Sequence, residues 1–294
     1  MTDLVKLFCS IHDFWIKFEP EWNAYSISQQ KRSPRRKRLL CFSEVMTIVI
    51  LFHLSGFRNF KTFYTGYVLT HLSSSFPSLS SYSRLVEVKK EAIFPLYCFL
   101  AHHFGQKTGI AFIDSTPIAV SHPKRIQSHK VFKKVAKRGR SSMGWFFGFK
   151  LHIIINDQGQ LLAFMLTPGN ISDISVTSNL VGNNISGKLF GDKGYVFQKL
   201  FEELFSRGVQ LITKLRNNMK NRLMTIHDKL MIRKRCVVET VIDQLKNISQ
   251  IEHSRHRSLS NFIVNLLSGL IAYSLKEKKP SVSIEKTALK LLTT

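Results

Sequence analysis

Acidic side chains are scarce in this 294-residue chain: 19 Asp and Glu stand against 43 Lys and Arg, a formal net charge of +24. Solubility alone does not need such an excess, and it predicts a polyanionic partner, most simply nucleic acid. A basic membrane-surface protein would gather its charge on one amphipathic helix, whereas here the charge lies in several clusters. Cysteine is sparse as well. Cys9, Cys41, Cys98 and Cys236 form no CxxC pair and no zinc-like spacing with histidine, so they read as reduced thiols in or near the core of a cytosolic protein. Long apolar runs are missing too. The longest, around 45–54 and 262–275, fall short of a bilayer span, and the start of the chain has no signal-peptide pattern. What remains is 44% hydrophobic, enough for a real core and too much for a disordered chain.

Two domains are expected, residues 1–105 and 106–294. The first reads as all helical, a domain for DNA binding or dimerisation. Val45, Ile48, Val49, Phe52 and neighbouring apolar residues recur at helical spacing after Ser43, taken as the N-cap, and Gly56 ends that helix. A serine-rich turn at 73–81 precedes a second helix, 82–103. The Phe residues between them are read as core rather than as a base-stacking platform. Residues 31–38, KRSPRRKR, hold six basic residues in eight. Pro34 forbids a continuous helix there, leaving either a solvated loop or an arm on the phosphate backbone.

From Gly109 the pattern turns to strands. An apolar run, Ala111-Phe112-Ile113, ends at Asp114. Residues 146–156 form a strand, Asp157-Gln158-Gly159 turns it, and 161–166 returns as its hairpin partner. The intervening 124–140 segment has eight basic residues, Arg138 among them, and no acid; it reads as a mobile loop or insertion. A short helix or crossing at 172–181 leads to a strand at 188–191, which ends at Asp192, with Lys193 next. A helix at 197–206, closed by Gly208, and a strand at 209–214 follow. The basic stretch 214–235 then leads into residues 233–246, RKRCVVETVIDQLK, read as one helix. At about 100° per residue, Arg235, Glu239 and Lys246 fall within roughly 40° of one another. A carboxylate between two cations on one face is either a surface ion pair or a metal-binding acid with two phosphate-holding cations.

The order strand-Asp114, hairpin strands, crossing, strand-Asp192, helix, strand, helix-Glu239 describes a mixed α/β sheet with helices on it. Acids leaving neighbouring strands can converge, and a helix across that edge can add a third. Three carboxylates suit hard Mg²⁺ or Mn²⁺ rather than zinc. Two such ions about 4 Å apart can activate a water or a 3′-hydroxyl and stabilise the leaving oxygen of a phosphodiester. Without metal, the clustered carboxylates repel one another. Lys150 and His152 alternate on one face of the 146–156 strand, towards either the site or solvent. Asp157, Asp173 and Asp243 have weaker claims to the site.

These residues resemble the DDE-type transposases of bacterial insertion sequences. The matches are IDST (113–116), GDKGY (191–195) and RCVVETVIDQLK (235–246), supported by GFKLH (148–152) and TPGN (167–170). The nearest group is the insertion sequence 982-like one, and the likeness covers roughly residues 109–275. The resemblance implies a ribonuclease H-like domain with a five-stranded mixed sheet. It also implies Asp114, Asp192 and Glu239 as catalytic metal ligands for two Mg²⁺ or Mn²⁺ ions. Arg235, Lys246, Lys150, Arg138 and Lys193 are expected DNA contacts. The related signature has a Tyr shortly before the Arg, where this chain has Ile232. The implied partners are double-stranded DNA, namely the element's terminal inverted repeats and target DNA, and a second copy of the chain in a synaptic complex. The implied setting is the bacterial cytoplasm, on the nucleoid, with no membrane partner. Two other readings share parts of the pattern. A host nuclease on the same fold would not need the basic first hundred residues. A non-catalytic DNA-binding repressor would not need three converging acids.

Overall fold

The computed structural model describes residues 3–28, 39–182, 185–214, 224–252 and 256–282. The basic cluster 31–38 and residues 215–223 of the second basic stretch lie outside the described residues. The chain divides into two compact units. One is Met1–His103 with Leu245–Leu275, and the other is Phe104–Gln244 with Lys276–Thr294. The sequence places residues 245–275 in the second domain, but in the structure they belong to the first unit.

The first unit is helical, with main helices Leu4–Ser28, Phe42–Leu54, Tyr82–Val88, Ile93–His102 and Leu259–Ser274. The Phe42–Leu54 helix starts one residue before the expected cap. The Cys41 thiol accepts the Glu44 N–H at 3.5 Å, and the Glu44 carboxylate accepts the Cys41 N–H at 2.7 Å. Ser43 is buried inside the helix. This reciprocal cap needs an acid three residues after the cap, which Cys41 has and Ser43 lacks. Leu259–Ser274 takes up most of the apolar run at 262–275. Phe262, Leu266, Leu267, Leu270 and Ile271 are all buried, which explains why this helix joins other helices rather than standing alone.

Among the described residues, the second unit has six strands: β1 (Ile110–Ser121), β2 (Lys137–Ser141), β3 (Gly144–Asn156), β4 (Leu161–Pro168), β5 (Gly187–Gly191) and β6 (Val209–Thr213). Their order is β2-β3-β1-β5-β6, with β4 also on β3. Strands β1 to β4 pair antiparallel, and β5 and β6 run parallel to β1. Helices Asp173–Val181 and Gln198–Ser206 help bury an apolar layer that includes Ile113, Ile154, Leu180, Leu189, Leu204 and Leu211. This mixed, helix-flanked sheet is the ribonuclease H-like arrangement. The expected five strands are present, and β2 is a sixth within the segment expected to be a loop. It pairs with the start of β3, Lys137↔Gly148 to Ser141↔Gly144.

Two details of the sheet set up the site. First, β1 does not stop at Asp114. It continues to Ser121 against β3, while its pairing with β5 ends at Phe112↔Phe190. Asp114 is therefore two residues past the last β5 pair, at an opening made by the shorter neighbour. The same open edge tolerates Pro117, which has no N–H for a ladder. Second, Gly139, Gly148 and Gly169 sit where backbones nearly touch. The Gly169 N–H donates to the Gly148 carbonyl at 3.0 Å, and a Cβ on Gly139 would fall 2.1 Å from the Gly169 oxygen. The glycines of the GFKLH and TPGN runs thus hold β2, β3 and β4 in register.

Among the described residues, desolvation pushes three histidines down to about 4: His53 and His256 in the helical unit, and His152 in β3. The His53 Nδ1–H donates to the Ser249 carbonyl at 2.6 Å, which opposes the shift without reversing it. A lowered folded value means that the unfolded chain takes up the proton first as pH falls below the usual 6.5. Stability is then lost between about pH 6.5 and 4, by about 1.4 kcal/mol per pH unit for each histidine. Urea midpoints at pH 7.5 and 5 should show this loss, and His53→Gln should reduce the pH dependence.

Candidate active site

Asp114, Asp192 and Glu239 come together on one guanidinium. Arg235 Nη1 lies 3.0 Å from Asp114 Oδ2, and Nη2 lies 2.8 Å from Glu239 Oε1 and 3.9 Å from Asp192 Oδ1. Each acid arrives on a different element. Asp114 projects from β1 beyond the end of β5. Asp192 follows Gly191, the last residue of β5, and is itself extended, with φ −78° and ψ 170°. Glu239 sits in the first turn of helix Cys236–Asp243. In an open α/β sheet, the ends of neighbouring parallel strands form a crevice of this kind.

The helix carrying Glu239 is not the single helix expected for 233–246. Ile226–Lys234 ends and Cys236–Asp243 begins at Arg235, whose backbone stays near helical at φ −52° and ψ −23°. Arg235 and Glu239 still form the expected i,i+4 pair. Lys246 falls in a π-turn, Gln244–Ile248, in the other compact unit, and its amine is 3.1 Å from Glu252. The alignment of Lys246 with Glu239 assumed 3.6 residues per turn, which a π-turn does not keep.

The acids differ in environment. Asp114 keeps 21% of its side chain exposed, against 52% for Asp192 and 57% for Glu239. Burial raises the Asp114 carboxyl above its ordinary range, and the Arg235 guanidinium pulls it back. Among the described residues, no three His, Cys, Asp or Glu side chains stand close enough to hold a metal ion as they are. The guanidinium lies between the carboxylates. Their donor set nevertheless fits a hard divalent ion: all-oxygen ligands, and one guanidinium against three carboxylates, which leaves negative charge for a cation to balance.

A second cluster borders Asp114, centred on Asp173, which by sequence has a weaker claim to the site. Asp173, at the start of helix Asp173–Val181, accepts from Ser115 Oγ at 3.0 Å and Lys150 Nζ at 3.1 Å, with His152 Nδ1 at 3.7 Å. Lys150 also donates to the Ile171 carbonyl at 3.0 Å. His152 is buried, with Nε2 at 2.9 Å from Thr167 Oγ1. Lys150 and His152 therefore point inward to Asp173 rather than to solvent. Asp157 is occupied elsewhere, accepting from Thr108 Oγ1 at 2.6 Å. Tyr195 is buried here too. Its hydroxyl sits beside Ser115 without a hydrogen bond of ordinary geometry, and burial, reinforced by Asp114 and Asp173, holds it protonated. Ile232, where the related signature has Tyr, is a buried aliphatic residue. The aromatic hydroxyl near the acids thus comes from Tyr195.

Lys193 is exposed next to Asp192. In the β2–β3 hairpin, the Arg138 guanidinium lies 5.4 Å over the ring of Trp145, which is 59% exposed. No helix among the described residues is long and apolar enough to cross a membrane.

A mixed sheet of this topology, with three acids converging at its edge, is a ribonuclease H-like domain. The family described as "Transposase DDE domain" matches residues 104–259, more than half of the chain. The chain belongs to that family. No curated protein sequence matches it at a significant level. Members of the family are transposases, which act on DNA and generally use divalent metal ions.

Proposed function

We propose that this protein is the transposase of an insertion sequence, of the 982-like group. It binds the element's terminal inverted repeats, hydrolyses the strand at the element's end, and transfers the freed 3′-hydroxyl to target DNA. The observation that carries the reading is the convergence of Asp114, Asp192 and Glu239, from three separate elements, on Arg235.

In hydrolysis, a water oxygen bonds to phosphorus and the P–O3′ bond breaks, leaving a 3′-hydroxyl and a 5′-phosphate. In transfer, that 3′-hydroxyl attacks a target phosphodiester and displaces a new 3′-oxygen. Asp114, Asp192 and Glu239 would hold two Mg²⁺ or Mn²⁺ ions, which when bound supply Lewis-acid activation of the attacking oxygen and stabilisation of the leaving one. Arg235 orients the three carboxylates and offsets their repulsion. Asp173 fixes Ser115, the residue after Asp114, and so steadies that acid. Lys193 and Arg138 contact DNA phosphates, and Trp145 supports Arg138. Catalysis operates in a synaptic dimer in the bacterial cytoplasm.

The test is strand cleavage of a labelled duplex carrying the element's end, with Mg²⁺, Mn²⁺ or EDTA. The wild type should nick at the end with either metal and not with EDTA, and Asp192→Asn should not nick. Tight binding without cleavage in either metal would leave a DNA-binding repressor instead.

A further inference from the structure

The helical unit contains a cleft of about 880 Å³. At its wall lies Lys89, only 7% exposed. Its amine sits 3.9 Å above the centre of the Phe60 ring. No carboxylate or carbonyl among the described residues meets it. Glu87, the acid in the cleft lining, is largely exposed and pairs with Arg84 at 3.0 Å. A buried ammonium with no counter-charge is costly, and such a group ordinarily has a partner.

Other buried polar atoms in the same lining also lack partners among the described residues: His256 Nε2, Asn261 Oδ1 and Asn265 Nδ2. Native proteins leave few such atoms, and several around one cleft mark a place where a polar ligand completes the bonding. His53 and His256 stay neutral at pH 7, both held near 4 by burial, so Lys89 is the inner cation. Arg58 and Arg257 stand exposed at the mouth. The Phe60 and Tyr82 rings, 6.3 Å apart, line one side.

We propose that this cleft binds a phosphorylated nucleotide, with the phosphate on Lys89, Arg58 and Arg257. The Asn261 and Asn265 amides meet polar edges of the base, and the aromatic wall takes its face. The nucleotide is either free or an unstacked unit of a DNA strand; the phosphate chemistry is the same. The inference does not rest on the transposase reading.

Calorimetric titration of the full chain with deoxyadenosine 5′-monophosphate, deoxyadenosine and inorganic phosphate tests it. The monophosphate should bind at least about tenfold more tightly than the nucleoside, as a charge-assisted contact requires. Lys89→Met, which keeps the stem over Phe60 but loses the charge, should weaken monophosphate binding by at least about tenfold. The same variant should melt higher than wild type, because a buried unpaired charge is gone. If Lys89→Met does not fold, Asn265→Asp, which places an anion in the cleft, should give the same loss. No monophosphate binding by the wild type, equal affinity for nucleoside and monophosphate, or unchanged binding in a folded variant would overturn the proposal. Displacement of bound monophosphate by a single-stranded oligonucleotide assigns the site to a strand, and retention assigns it to a free nucleotide.

Discussion

Glu239→Gln should lower strand cleavage by on the order of 10³-fold while leaving DNA affinity within about twofold and stability within about 1 kcal/mol. Each part of that result follows from geometry. Glutamine keeps the length of the side chain and an oxygen to accept from Arg235, so the 2.8 Å contact survives. The Glu239 side chain is 57% exposed, and an exposed i,i+4 pair contributes only a few tenths of a kcal/mol. What the substitution removes is one negative charge from the set that would hold the metal. Loss of cleavage in a folded protein that still binds DNA is the signature of that role. A large fall in melting temperature, with binding lost in parallel, would make Glu239 a structural residue. The same reasoning applies to Asp192, 52% exposed. It applies less cleanly to Asp114, whose partial burial makes its substitution act on packing as well.

Gly148→Ala should destabilise the sheet unit by about 3 kcal/mol or more. A Cβ at Gly148 would lie 2.0 Å from the Ile118 carbonyl oxygen and 3.1 Å from Ala119 Cα. Those are backbone atoms of β1, paired with β3 through Ile118↔Phe149 and Ala119↔Gly148. They cannot yield as the end of a side chain can, so the strands must part, and Asp114 lies on the strand that moves. Gly194→Ala is the matched control. Nothing lies within 4 Å of its Cβ position, so the change should stay within about 0.5 kcal/mol. Urea unfolding of the two variants separates the predictions. Equal midpoints would mean that Gly148 is not where the backbones are in contact.

The strands and acids were legible because their signals are local. Apolar runs at 111–113, 146–156 and 209–213 mark strands wherever they pack, and an acid after such a run lies near a strand end. Arg235 and Glu239 are four residues apart, so a short helix sufficed to pair them. Less legible were features decided by tertiary structure. Asp114 was expected at a strand's end, but β1 runs on because β3 continues beside it. The grouping of Asp173 with Ser115, Lys150 and His152 joins positions up to 58 residues apart, and no spacing rule gives it. The break at Arg235 and the π-turn after Asp243 altered a helix whose apolar pattern was continuous. Residues 245–275 carry a helix that would suit either unit, and only packing assigns it. Glu44 stands three residues after Cys41 in the sequence, but cysteine is a rare cap, and the thiols expected in or near the core are exposed at Cys9, Cys41 and Cys236.

The proposed function requires Asp114, Asp192 and Glu239 to form one cation site. Titration of the full chain with Mn²⁺, followed by the electron paramagnetic resonance of the free ion, tests it most directly. Saturable binding in the wild type, sharply weakened in each of Asp114→Asn, Asp192→Asn and Glu239→Gln, is the predicted result. Binding that is absent from the wild type, or unchanged when these acids are replaced one at a time, would contradict it.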